Sequence, residues 1–171
     1  MQIREVGVGD LDSPLDTSPN TALDTLLEIV LDIRLAFLAE FHDRDPDSWD
    51  TSFVDATRTY LRTGIRAGSV RCWIAADDDD VLGGVSVLLF DKPPLPNDSR
   101  TTTGWVLNMY VRPDRRGCGV GGRLFDACVE AVGDAGSRQL VLHATPDGWP
   151  LYEGRGFHTS PTWMELDLPS R

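Results

Sequence analysis

Positive charge is scarce in this chain, and long apolar runs are missing from it. Against 27 Asp and Glu stand 16 Lys and Arg, a net charge of −11. That excess argues against nucleic acid or an anionic membrane as the main partner, because both require a basic face. No uncharged apolar stretch approaches the roughly 20 residues that span a bilayer. The opening Met-Gln-Ile-Arg-Glu-Val lacks the apolar centre of a secretory leader. Cysteine is rare too. Cys72, Cys118 and Cys128 are odd in number and have no paired spacing, so they read as free thiols of a reducing cytoplasm. With 41% apolar and 25% charged residues the chain is nonetheless a globular one, and its 171 residues suffice for one domain, expected over 1–171.

Two common phosphate motifs are absent. No Gly-Lys-Ser/Thr closes a nucleotide loop, and no acidic residue ends a second strand at the distance a dinucleotide fingerprint requires. What is present is Val111-Arg-Pro-Asp-Arg-Arg-Gly-Cys-Gly-Val-Gly-Gly122, where an apolar strand stops at Pro113 and an amphipathic pattern starts at Val120. Glycines at 117, 119, 121 and 122 let a ligand approach the backbone at the start of a new helix, where unpaired N–H groups and the positive dipole end favour an anion. Arg112, Arg115, Arg116 and Arg123 form a basic cluster in an acidic protein, which also suggests an anion site.

Along the chain the patterns predict a strand over 2–8, a Pro/Ser/Asp-rich loop over 10–20, and a helix capped by Thr21 or Asp24 and ending near His42. Arg34 alone interrupts the apolar stripe of that helix. A second helix covers about 52–66 and ends at Gly68. Strands 70–76 and 81–90 flank four consecutive aspartates, read as a solvated hairpin turn because calcium loops space their ligands and add a distal Glu. A strand over 105–111 leads into the glycine turn and a helix over 120–135. A strand over 139–144, a short helix over 149–155 and two strands over 157–160 and 162–168 complete the chain. The order implies an α/β domain of the α+β type: a mixed, mostly antiparallel sheet with one parallel β-α-β step through the glycine turn.

The motif Arg116-x-x-Gly119-x-Gly121 resembles the pyrophosphate signature of the GNAT superfamily of N-acetyltransferases, and Pro150-Leu-Tyr-Glu-Gly-Arg-Gly-Phe157, about thirty residues on, looks like its "LYExxGF" segment. The resemblance covers nearly the whole chain. It implies a GNAT-like twisted sheet, splayed at its central parallel pair, and transfer of an acetyl group from acetyl-CoA to a primary amine of a small molecule or peptide, without a metal. Backbone N–H groups of Arg116, Gly117, Cys118, Gly119, Val120, Gly121 and Gly122 would hold the diphosphate. Met109, Tyr110 and Val111 would pair with pantetheine as an added strand does, one N–H polarising the thioester. Tyr152 would be the general acid toward the leaving sulfur. A homodimer through the C-terminal strands is a further implication.

Two positions depart from the family pattern. Thr145 stands where many relatives hold the cofactor with asparagine, and Asn108 where many carry a glutamate base. The base stays open among His143, Glu40, His42 and a water chain, and the acceptor stays unassigned. Phe41, Trp49, Phe53 and Trp73 are candidates to line its pocket, and Asp43, Asp45, Asp47 and Asp50 to attract a cationic amine. Two other functions compete: a non-catalytic acyl-CoA sensor, and a binding protein that uses the glycine turn only structurally.

Overall fold

Strong alternation and fully apolar runs assemble the strands into one sheet in the computed structural model, which describes residues 1–6, 21–78 and 80–167. Strands β1 (Gln2–Val6), β2 (Val70–Asp77), β3 (Asp80–Asp91), β4 (Thr102–Val111) and β5 (Gln139–Val141) lie side by side in that order. All neighbours are antiparallel except β4 and β5. A parallel pair needs a crossover, and helix α3 (Val120–Asp134) supplies it. Helices α1 (Thr21–Phe41) and α2 (Thr51–Ala67) cover one face of the sheet. Helix α3 and the short α4 (Trp149–Glu153) cover the other. The expected mixed sheet flanked by helices is the one observed.

Both faces are packed. On one, Leu27, Val30, Leu31, Leu61 and Ile65 meet Val6, Val70, Cys72 and Ile74. On the other, Leu124, Phe125, Cys128 and Val132 meet Ala75, Val85, Val87 and Val106. Burial on two faces explains why β2 and β3 read as continuous apolar runs. Each such large side chain contributes about 1.5–3 kcal/mol through its removal from water.

Helix ends follow local chemistry. Asp43 takes a left-handed φ of 50° after α1, and the Arg44 N–H donates to Ala39 O at 2.8 Å while the Asp43 N–H donates to Glu40 O at 3.3 Å, so the last carbonyls are satisfied. Gly68, at φ 71°, closes α2 by donating its N–H to Ile65 O at 3.1 Å. The aspartate run makes the β2–β3 hairpin, with Asp77 opposite Asp80 and Asp78 at φ 51°. The proposed cap residues Thr21 and Asp24, the loop over 10–20 and the end of the last predicted strand lie outside the described residues or side chains.

Three expectations are corrected. The two C-terminal strands do not form: residues 157–167 are turn and irregular backbone with no ladder partner. Pro161 interrupts them, and the neighbouring β5 is only three residues long, which leaves almost no edge to pair with. Trp163 instead packs on Trp105 at 5.5 Å between ring centroids, and Glu165 accepts from Trp163 Nε1 and lies 2.8 Å from His143 Nε2. Strand β5 itself stops at Val141 rather than Ala144, because β4 and β5 diverge and the chain turns at Thr145-Pro146. The basic cluster, finally, is largely neutralised. Arg112 and Arg115 both pair with Asp80 and Asp114, and Arg116 pairs with Glu40 at 2.6 Å.

Candidate active site

The turn after β4 exposes a row of donors. A short 3-10 turn (Pro113–Arg115) takes the chain off the strand, and Gly117 and Gly119 then adopt φ of 74° and 80°. Only glycine enters that region without steric cost. Among the described residues, no backbone N–H from Gly117 to Gly122 donates to an acceptor; the first that does is Arg123, to Gly119 O at 3.2 Å. A Cβ at 117 or 119 would meet nothing within 4 Å, so the turn is unobstructed there, whereas one on Gly122 would run into the Arg155 guanidinium. The Arg116 side chain braces the turn rather than facing that space, donating from Nε to Val111 O at 2.9 Å and from its terminal nitrogen to Glu40. Cys118 is exposed, its thiol 3.6 Å from Arg116 O.

Next to the turn the sheet opens. β4 and β5 pair only at Thr103, Gly104 and Trp105, opposite Gln139, Leu140 and Val141. From Val106 to Val111 β4 keeps β3 on one side and has no strand on the other. Arg112 N–H donates to Leu82 O on the β3 side, so by the alternation of a strand the N–H groups of Met109 and Val111 point into the opening and that of Tyr110 points away. The predicted splay is therefore present. Of the three candidates, Met109 and Val111 offer their amides to it and Tyr110 does not.

A β-bulge lies at the mouth of this opening. Ser86 pairs with Asn108 and Val87 with Val106, which leaves Leu107 as the extra residue. A bulge places two consecutive side chains on the same face, here Leu107 and Asn108, both toward α1 and α2. The carbonyl of Leu107 is held by Arg34 at 2.7 Å. Arg34, Phe53, Tyr60, Leu107 and Asn108 border a cavity of about 330 Å³ between the two helices and β4.

Tyr152 lies on α4, 8% exposed, its ring against Phe125 at 5.3 Å and Phe157 at 5.8 Å. Burial, with a smaller contribution from Cys128, pushes its phenol up to about 12. It stays protonated at any physiological pH and remains a hydrogen-bond donor.

A glycine turn of free amides beside a splayed parallel pair is a recognisable combination, and the model of the acetyltransferase (GNAT) family matches residues 33–157. The chain belongs to the GNAT acetyltransferase family. Solved structures agree on the fold. A predicted acetyltransferase of Clostridium acetobutylicum, solved with acetyl-CoA, superposes with a TM-score of 0.77 at 20% identity over 97% of this chain and 95% of its own. A GCN5-related N-acetyltransferase of Ralstonia eutropha gives 0.71 at 25% identity over 98% and 97%. An aminoglycoside acetyltransferase from an uncultured soil sample gives 0.67 at 13% identity over 99% and 98%.

The remaining candidates of the GNAT site scatter. Glu40 is committed to Arg116. His42 is exposed at the end of α1, edge-on to Phe41 at 5.0 Å. His143 is 62% exposed, edge-on to Trp105 at 5.2 Å and paired with Glu165. None of the three borders the cavity at the bulge. Thr145 has a local job: its hydroxyl and carbonyl both accept from Gly148 N–H, and its carbonyl also accepts from Trp149 N–H, which starts α4. Of the predicted acceptor-lining aromatics only Phe53 reaches the cavity. Trp73 is core, and Trp49 packs on Phe53 and under Arg44. The residue that sequence reasoning passed over is Arg34. The signal was there, as the one charge in the apolar stripe of α1.

Proposed function

We propose that this GNAT domain, spanning 1–171, transfers the acetyl group of acetyl-CoA to a primary amine of a small molecule or peptide by direct attack within a ternary complex. The observation that carries the proposal is the run of free N–H groups from Gly117 to Gly122, adjoining the splay of β4 and β5. These residues fit a diphosphate, because the donors are backbone, consecutive and backed by the α3 dipole. Met109 and Val111 amides would bind pantetheine as a strand would, and one would polarise the thioester carbonyl. Acetyl-CoA supplies the activated acyl group when bound, as it is bound in the Clostridium relative. Cys118, exposed and free, accords with a reducing cytoplasm.

Tyr152 would donate a hydrogen bond to the departing sulfur rather than surrender its proton. With its phenol at about 12, full transfer to a thiolate of ordinary basicity is uphill by about 5 kcal/mol. Calorimetry tests the binding step. Wild-type protein binds acetyl-CoA one to one, and Gly119→Asp, which adds Cβ strain and a carboxylate beside the diphosphate, weakens it at least about tenfold without unfolding the chain. Unchanged affinity would refute the assignment.

A second reading, an acyl-CoA sensor, is favoured by one observation: Glu40, a candidate base, is locked to Arg116. Thiol release across an amine panel separates the two, since a sensor binds acetyl-CoA and never releases CoA.

A further inference from the structure

The cavity at the β4 bulge carries two polar groups in need of a ligand. Asn108 is 2% exposed, and among the described residues neither its Nδ2 nor its Oδ1 has a hydrogen-bond partner. Leaving both unpaired costs on the order of 1–3 kcal/mol for each group, so the site is built for something that both accepts and donates. Arg34 is the second group. One guanidinium nitrogen is taken by Leu107 O at 2.7 Å, and its cation lies 5.7 Å from the Phe37 ring. Among the described residues it has no carboxylate partner, whereas Arg58, Arg71, Arg112, Arg115, Arg116 and Arg155 each have one. Partial burial accordingly lowers its pKa. A half-buried guanidinium without an anion is an expensive arrangement unless a ligand brings the anion.

Resting on the acetyl-transfer reading above, the geometry points to a zwitterionic amino acid as the acceptor: its carboxylate on Arg34, its amino group on Asn108 Oδ1, and its side chain against Phe53 and Tyr60. One small molecule then satisfies both orphaned groups, since Asn108 Nδ2 can share the carboxylate. A cavity of about 330 Å³ suits such a molecule. Asn108 adjoins Met109, whose amide faces the splay, so the amine is held one residue from the thioester's expected place. A zwitterion carries no net charge and meets no repulsion from a protein of charge −11. In the reaction the ammonium first loses a proton to solvent. The amine nitrogen bonds to the thioester carbonyl carbon, and the C–S bond breaks with its electron pair on sulfur. A second amine proton neutralises that thiolate. The products are an N-acetyl amino acid, CoA thiol and one released proton.

The test compares thiol release from acetyl-CoA with the proteinogenic amino acids, their carboxamides and the corresponding decarboxylated amines. At least one amino acid should exceed its carboxamide in kcat/KM by about a hundredfold or more, because the amide leaves Arg34 unpaired. Arg34→Met should erase that preference while leaving acetyl-CoA affinity, measured by calorimetry, unchanged. Arg34→Lys should restore part of it, which also guards against a merely structural loss. Equal or better turnover of carboxamides or decarboxylated amines overturns this inference while leaving acetyl transfer intact. So does tight acetyl-CoA binding with no amino acid consumed. Failure to bind acetyl-CoA at all removes the acetyl-transfer reading itself, and this inference with it.

Discussion

At Tyr152 a single hydroxyl separates two accounts of the leaving step. A buried phenol held near 12 would act there by hydrogen bonding, so Tyr152→Phe should lower kcat by about 10- to 1000-fold, within the range for loss of one transition-state donor, and leave the Kd for acetyl-CoA almost unchanged. The basic limb of the kcat profile should show no inflection from this residue below about pH 11. A Phe variant with full kcat would place the tyrosine in the core and nowhere else. Its packing on Phe125 and Phe157 means that Phe keeps the aromatic contacts, so stability should hold. Phe125→Ala, by contrast, empties a fully buried position and should cost about 3–5 kcal/mol in denaturant unfolding.

Element by element, β4 decides where the site lies. Its bulge at Leu107 turns Asn108 toward α1 and α2, and its last residues run close against β3. A Cβ on Gly83 would collide with the Tyr110 carbonyl oxygen and come within 2.9 Å of Val111 Cα. Gly83→Ala should therefore push that end of β4 outward, destabilise the protein by about 1–3 kcal/mol, and weaken acetyl-CoA binding. Denaturant titration and calorimetry on the same variant check both effects; an unaltered cosubstrate affinity in a destabilised protein would detach the strand end from the site. The glycine turn, the helices and the antiparallel hairpins were legible in the sequence because each rests on local signals: glycine at positive φ, a 3.6 period, turn residues between apolar runs. The position of the bulge was not, since nothing local distinguishes Leu107 from its neighbours. It exists because β3 and β4 must satisfy different registers on either side of it. Arg34 looked like a flaw in a stripe for the same reason, as its partner is a carbonyl 73 positions away. The final strands failed because an alternating pattern specifies a strand only where an edge is available to pair, and β5 offers three residues. A homodimer of the kind the family resemblance implies would have to form those strands by pairing.

For the molecule as a whole, titration sets an alkaline limit. Burial raises the thiols of Cys72 and Cys128 and the phenol of Tyr152, each to about 12. All three bind their protons more tightly folded than unfolded, so the stability they contribute is complete below the unfolded values. It falls as pH climbs from about 9, where free thiols ionise, toward 12. The urea midpoint should decline steadily across that window, and Cys128→Ala should flatten the decline; a midpoint independent of pH up to 11 would contradict this.

Acetyl transfer by this molecule would require that main-chain donors of the turn and of the splayed strand hold the cosubstrate. Amide-resolved NMR of labelled protein titrated with acetyl-CoA addresses it directly. Resonances from Gly117 to Gly122, with Met109 and Val111, should move and become protected from exchange at one equivalent. Saturable binding that left those amides still and perturbed another surface would contradict it.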